Sequence, residues 1–280
     1  MAGHLTENAT SLLRTVVERC LANSPRRPLV LGVSGAQGSG KSTIARELSQ
    51  QLSKDGKRAA QLSLDDFYLS RAARRDLAAR LHPLFVTRGP PGTHDIAAAL
   101  ALIKKIKSGE AALAPQFDKA RDEPRARDRA KEIPADLQVF IFEGWCLGAE
   151  PESEAALAAP VNMLEEVYDA EGVWRGAVND MLGGAYQALF AEIEYLAYLR
   201  APNFEIVSRW RCEQEQALAD DAALGQRPLL MRPDEVTFFV QHFERITRSM
   251  MRDVPARAAV TFQLDESRRV TQVIRPTRAG

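Results

Sequence analysis

Gly35-Ala36-Gln37-Gly38-Ser39-Gly40-Lys41-Ser42 sets three glycines, a lysine and a hydroxyl side chain directly after the apolar run Leu29 to Val33 and before a helical pattern that opens near Thr43. This is the spacing of a phosphate-binding loop in its strand, loop, helix context. Glycines let successive backbone N–H groups converge on phosphate oxygens, and the helix behind them points its positive end at the same charge. Residues 35 to 43 therefore read as the nucleotide-binding stretch: Gly35, Ala36, Gln37, Gly38, Ser39, Gly40, Lys41, Ser42 and Thr43. Within it, Lys41 reaches the outer phosphates and Ser42 offers its hydroxyl to magnesium.

Two acidic stretches follow apolar runs in the same way. Arg58 to Leu64 reads as a second strand and ends in Asp65-Asp66-Phe67-Tyr68. Leu137 to Phe142 reads as a third and ends in Glu143-Gly144-Trp145. Ligands of open α/β sheets bind beyond the carboxyl ends of strands, so these carboxylates are placed for chemistry. A cap on the next turn accounts for one of Asp65 and Asp66, and only one need face a ligand. Glu143 suits the P-loop magnesium, with glutamate where aspartate is the commoner choice.

Arg88-Gly89-Pro90-Pro91-Gly92-Thr93-His94-Asp95 is a stiff loop that presents polar side chains on fixed turns. Helix capping by Thr93 or Asp95 explains its end but not Arg88. Arg211, after a presumed strand end, is suited to clamping an anion, while Glu215 four residues along offers it an ordinary helix partner.

The elements that must carry these residues follow from periodicity. Helices are expected over 5–22, with Leu5, Leu12, Leu13, Val16, Val17 and Leu21 on one face and a stop at Asn23-Ser24-Pro25, and over 41–54, 71–81 and 96–107. Residues 115–134 carry dense charge and little apolar periodicity, which excludes core and fits a solvated loop or a lid. Residues 151–200 read as a largely helical elaboration, with helix from Trp174 through Leu199. Phe204 to Val207 is expected as a fourth strand, Pro233 as the start of a last long helix, and Arg257 to Leu264 with Val270 to Ile274 as a terminal hairpin. The fold class is α/β: a P-loop NTPase fold with a mostly parallel sheet flanked by helices, organised as one domain over 1–280.

Thirty-seven basic residues balance thirty-seven acidic ones, so no global field attracts nucleic acid. No apolar run is long enough to span a bilayer, and the first twenty residues lack the apolar segment of a secretion signal. Three dispersed cysteines argue against a disulfide scaffold and fit a reducing compartment. The expectation is a cytoplasmic chain with a small anionic partner, no nucleic acid and no membrane.

Over residues 29 to 250 the chain resembles the D-glycerate 3-kinase-like family within the uridine kinase and pantothenate kinase group of P-loop kinases. The resemblance rests on Gly35 to Ser42, Leu64 to Tyr68, Arg88-Gly89 with Gly92 to Asp95, Pro115-Gln116-Phe117-Asp118-Lys119, Phe142 to Trp145, and Trp210-Arg211 with Glu213-Gln214-Glu215. It implies an enzyme that uses ATP and Mg2+ to phosphorylate a hydroxyl of a small hydroxy acid, foremost D-glycerate to 3-phosphoglycerate. By that resemblance Lys41 and Asp65 are catalytic, with Asp65 near the acceptor hydroxyl as its base, and Ser42 and Glu143 serve the metal. Asp65, Asp66, Tyr68, Arg88, His94, Asp95 and Arg211 form the acceptor site, where Arg88 or Arg211 pairs with a carboxylate. Lys119, Arg125, Arg127 and Arg129 belong to the lid. The chain departs from the pattern at Phe117, where relatives often carry tyrosine, and at Ala120, where they often carry serine. A kinase for a nucleoside, pantothenate or another sugar acid is the alternative, and a nucleotide-dependent regulatory NTPase a further one. The acidic pair and the Arg88 loop favour small-molecule transfer.

Overall fold

The computed structural model describes residues 3–23, 28–220 and 231–276. The chain begins with α1 (Gly3–Asn23), β1 (Leu29–Gly35), α2 (Lys41–Lys54) and β2 (Ala59–Ser63), then makes a short 3-10 turn over Leu64–Phe67 before α3 (Arg71–Arg80) and α4 (Ile96–Lys107). Four short strands follow: β3 (Ala112–Ala114), β4 (Phe117–Asp118), β5 (Glu123–Pro124) and β6 (Lys131–Ile133). After β7 (Val139–Gly144) comes a helical insertion of α5 (Glu154–Leu157), α6 (Met163–Tyr168), α7 (Val173–Met181) and α8 (Gln187–Phe190). The chain then forms β8 (Tyr195–Arg200), α9 (Glu205–Asp220), α10 (Pro233–Asp253), β9 (Val260–Leu264) and β10 (Val270–Ile274). The expected stop of α1 at Ser24-Pro25 and the side chain of Leu5 lie outside the described residues.

The main sheet has the order β10-β9-β8-β1-β7-β2. Every pairing is parallel except that of β10 with β9. β1 is apolar almost throughout because both its faces are covered. Leu29, Leu31 and Val33 pack with Leu13 and Val17 of α1 and Ile44 and Leu48 of α2, whereas Val30 joins Phe140 and Phe142 of β7 and Ile103 of α4 on the other face. Parallel pairing brings the carboxyl ends of β1, β2 and β7 to one edge, with Glu143 in register with Val33 on one side and Ser63 on the other. No described helix is long and apolar enough to cross a membrane.

Three expectations are corrected. Tyr195 to Arg200 is not helix but a strand of the main sheet, aligned with β1 from Leu31↔Tyr195 to Gly35↔Leu199. A short run of apolar residues satisfies either period, and the vacant place between β1 and β9 decides for strand. Phe204 to Val207 is not a strand: the Asn203 side chain accepts the Ile206 N–H at 3.0 Å at the opening of α9. The charged segment 115–134 does contribute to the core, for Phe117 and Ile133 are buried. Its charges ride on two antiparallel ribbons, β3 with β6 and β4 with β5.

Candidate active site

The loop after β1 is shaped for an anion. Gly40 has φ 92° and a Cβ there would find nothing within 4 Å, so the space over the first turn of α2 stands open. Gly38, at φ 72°, has the opposite constraint: a Cβ would come within 2.6 Å of Trp210 on α9. Lys41 Nζ rests over the loop, 3.4 Å from the Ala36 carbonyl. Ser34 Oγ and Ser39 Oγ are buried without hydrogen-bond partners, which a triphosphate would supply.

Ser42 Oγ donates to Glu143 Oε1 at 2.8 Å, and Glu143 Oε2 is buried with no partner. Burial pushes the Glu143 carboxyl upward, Lys41 opposes that, and the Asp65 charge adds to it. Among the described residues no group of three or more His, Cys, Asp or Glu could hold a metal ion by itself. A hydroxyl beside a carboxylate with a free oxygen nonetheless fits magnesium, which takes one or two protein oxygens and leaves its other positions to phosphates and water.

Asp65 is delivered by the 3-10 turn that ends β2. Ser63 Oγ accepts the Asp65 N–H at 3.2 Å, and Asp66 Oδ2 accepts the Ser63 N–H at 3.1 Å. Asp66 is thus engaged in capping the turn, and burial raises its pKa. The Asp65 carboxylate faces the cleft: Tyr68 donates to Oδ1 at 2.8 Å and Lys119 to Oδ2 at 2.6 Å. Burial works against its charge, but Lys119, Lys41 and the Tyr68 hydroxyl outweigh that and hold the carboxyl well below the usual range. One carboxylate is therefore kept ionised while its neighbour Glu143 is pushed toward the neutral form.

His94 stacks on Tyr68 with ring centroids 4.7 Å apart, and its Nδ1 lies 2.6 Å from the Tyr186 hydroxyl. That hydroxyl also accepts the Gly92 N–H at 3.0 Å. His94 Nε2 is buried without a partner, and burial lowers the imidazole pKa to about 4. A neutral imidazole with one unpartnered nitrogen is left beside Tyr68. Asp95 is exposed and caps α4, with Oδ1 accepting the Ala98 N–H at 2.9 Å.

Arg88 donates to Asp122 Oδ1 at 2.5 Å and lies over the Phe117 ring, 5.7 Å from its centroid. The buried Arg74 pairs with the other Asp122 oxygen while also donating to the carbonyls of Val86 and Leu69. Asp122 sits at φ 58° in the turn between β4 and β5, and its two ion pairs hold this ribbon against Arg74 and Arg88. Arg211 pairs with Glu215 and Gln214 on its own helix. Burial lowers its pKa against the pull of Glu215, with Arg88 adding repulsion and Tyr68 and Asp65 attraction, so these groups share one electrostatic environment. Arg125, Arg127 and Arg129 are exposed, with Arg125 4.0 Å from Asp118.

Three participants escaped the sequence reading. Tyr186 lies in a π turn of the helical insertion, where an aromatic reads as packing. Arg74 sits on a helix whose sequence gives no hint of its burial. Arg268, in the β9–β10 turn, donates from Nε to the Gly38 carbonyl at 2.6 Å and from Nη2 to Glu213 at 2.7 Å. Only its positive charge in a turn was visible beforehand.

A family profile described as methylmalonyl Co-A mutase-associated GTPase MeaB matches residues 2–68, the span from α1 through the turn that bears Asp65. The chain is 34% identical over 227 residues to "Uncharacterized kinase mug58" of Schizosaccharomyces pombe, covering 78% of this chain and 79% of that protein. It is 30% identical over 227 residues to the chloroplastic D-glycerate 3-kinase of Arabidopsis thaliana, covering 77% of this chain but 46% of that protein. A solved D-glycerate 3-kinase from Cryptococcus neoformans var. grubii matches with a TM-score of 0.78 at 24% identity over 95% of this chain and 99% of that one, a likeness of fold. The relatedness to mug58, together with an α/β sheet that carries a phosphate loop on one strand and carboxylates on its neighbours, leads to one conclusion: the chain belongs to the uridine, pantothenate and glycerate kinase-like superfamily of P-loop kinases.

Proposed function

We propose that this ATP-dependent small-molecule kinase moves the terminal phosphoryl group of ATP to a hydroxyl of a small hydroxy acid, with D-glycerate giving 3-phosphoglycerate as the foremost reaction. The observation that carries the reading is that the Asp65 carboxylate is held at the end of β2 by Tyr68 at 2.8 Å and Lys119 at 2.6 Å, one strand from Glu143 and two from the phosphate loop. A carboxylate base on Asp65, with Arg88 or Arg211 to pair with an anion, suits an acceptor that has both a hydroxyl and a carboxylate. The names of the Arabidopsis and Cryptococcus relatives agree with that acceptor.

In this reading the loop amides and Lys41 hold the phosphates, and Ser42 with Glu143 would hold magnesium. When bound, the metal supplies charge neutralisation for the phosphates. Asp65, kept ionised, takes the proton of the acceptor hydroxyl, and the Tyr68 hydroxyl on Oδ1 fixes the orientation of the carboxylate. His94, kept neutral by burial, offers its unpartnered Nε2 to the acceptor. Most of the rate advantage comes from alignment and charge, because phosphoryl transfer asks little covalent chemistry of the protein. A cytoplasmic setting belongs to the same reading.

The test is ADP release across D-glycerate, L-glycerate, uridine and pantothenate, with identification of the product. Preference for D-glycerate supports the proposal. Preference for uridine or pantothenate moves the chain to another branch of the superfamily, and ADP release indifferent to all four favours the regulatory NTPase.

A further inference from the structure

Lys119 stands apart from the other cations of the charged segment. Its side chain is 61% exposed, yet its ammonium reaches down to within 2.6 Å of Asp65 Oδ2. Arg125, Arg127 and Arg129 on the same segment make no such entry. The reach is enforced by contacts that do not involve Lys119. At the end of the turn Asp122 is held by Arg74 and Arg88, and at its beginning Phe117 packs edge-on against Tyr68, with centroids 5.2 Å apart. The ribbon backbone is closed by the Arg125 N–H donating to the Gln116 carbonyl at 2.8 Å.

The ammonium is bonded to the proposed base itself. Asp65 is acted on by Lys119 from the ribbon and by Lys41 from the phosphate loop. Glu143, beside the loop serine, is among the charges that act on Lys119. In the proposed reaction the phosphoryl group is directed at a hydroxyl on Asp65, whose Oδ2 lies 2.6 Å from the Lys119 ammonium.

We infer that Lys119 is a catalytic residue, whose ammonium leaves Asp65 for the oxygens of the transferring phosphoryl group as the acceptor hydroxyl gives up its proton. This deepens the kinase reading above and rests on it. In the step, the acceptor oxygen forms a bond to the γ-phosphorus, and the bond from that phosphorus to the β,γ-bridging oxygen breaks with its electron pair staying on ADP. The acceptor proton ends on Asp65. Once protonated, Asp65 no longer attracts the ammonium, so the cation is released when charge on the phosphoryl oxygens needs it. The exposed, four-carbon stem allows that short swing without moving the ribbon.

The experiment compares the full chain with Lys119→Ala and Lys119→Arg in acceptor-dependent ADP release, with and without added ethylammonium. Loss of one preorganised donor to a developing charge costs on the order of 10²- to 10³-fold in kcat. The inference expects that loss for Lys119→Ala with little change in the KM of either substrate, concentration-dependent recovery by ethylammonium, and partial recovery in Lys119→Arg. A ribbon contact that merely supports the fold would not respond to a free amine. Lys119→Ala with kcat close to that of the unaltered chain, or a loss that neither ethylammonium nor arginine restores, overturns the inference alone. Failure of the unaltered chain to phosphorylate any hydroxy acid takes the kinase reading down together with it.

Discussion

Ser42 Oγ donates to Glu143 Oε1 at 2.8 Å, joining the first turn of α2 to the end of β7 across 101 residues of sequence. The bond leaves Glu143 Oε2 buried and unpartnered. Glu143→Gln keeps an acceptor for Ser42 and removes the charge. The expected result is a magnesium requirement raised by about 10- to 100-fold, read from initial rates over a metal titration. An unchanged metal dependence would remove Glu143 from the metal site.

Arg268 ties the β9–β10 turn to the Gly38 carbonyl and also lies over the Trp210 ring, 5.1 Å from its centroid. Arg268→Ala frees a loop whose shape is needed for phosphate. A charge-assisted hydrogen bond contributes roughly 1.5–3 kcal/mol, so the KM for ATP should rise on the order of tenfold. The acceptor KM should stay where it was, and a change confined to the acceptor would contradict this role.

Arg88 and Arg211 are assigned to the acceptor carboxylate, where the planar fork of arginine matters more than its charge alone. Arg88→Lys and Arg211→Lys should each raise the acceptor KM by about tenfold while leaving ATP affinity intact, measured by steady-state kinetics with each substrate varied. A variant with both constants unchanged excludes that arginine from the clamp.

His242 offers a pH test away from the chemistry. It is buried among the rings of Trp174, Phe238 and Phe239, and burial lowers its pKa from 6.5 to about 4 despite its bond to the Phe239 carbonyl. Between those values the unfolded imidazole binds a proton that the folded one refuses, so stability contributed by the neutral ring is intact above about pH 6.5 and lost as pH falls toward 4. Each unit of that difference amounts to about 1.4 kcal/mol. In urea titrations His242→Gln should lose less stability than the unaltered chain between about pH 6.5 and about pH 4. Parallel losses would contradict the assignment.

What was legible in the sequence was local. The phosphate loop, the acidic turn after β2 and the loop ending in His94-Asp95 announce themselves because each is read within about ten neighbouring residues. α4 falls on the expected residues 96–107 because apolar period and an aspartate cap agree. Tyr195 to Arg200 reads as helix in the sequence because the five-residue apolar run Tyr195 to Leu199 has no period of its own, and only its place between β1 and β9 makes it a strand. Asp122 looked like one charge among many until folding set it against Arg74 and Arg88. Arg268 meets Gly38 from 230 residues away, a separation over which no spacing rule operates.

The central claim is that a phosphoryl group passes from the loop at Lys41 to a hydroxyl readied by Asp65. Phosphorus NMR of the chain with magnesium, ATP and D-glycerate tests it most directly, with Asp65→Asn alongside. The account predicts a phosphomonoester of glycerate that grows with ADP, and a variant that still binds ATP but turns over on the order of 10²- to 10⁴-fold more slowly. ADP accompanied only by inorganic phosphate, or an Asp65→Asn variant that forms the ester at the original rate, would contradict it.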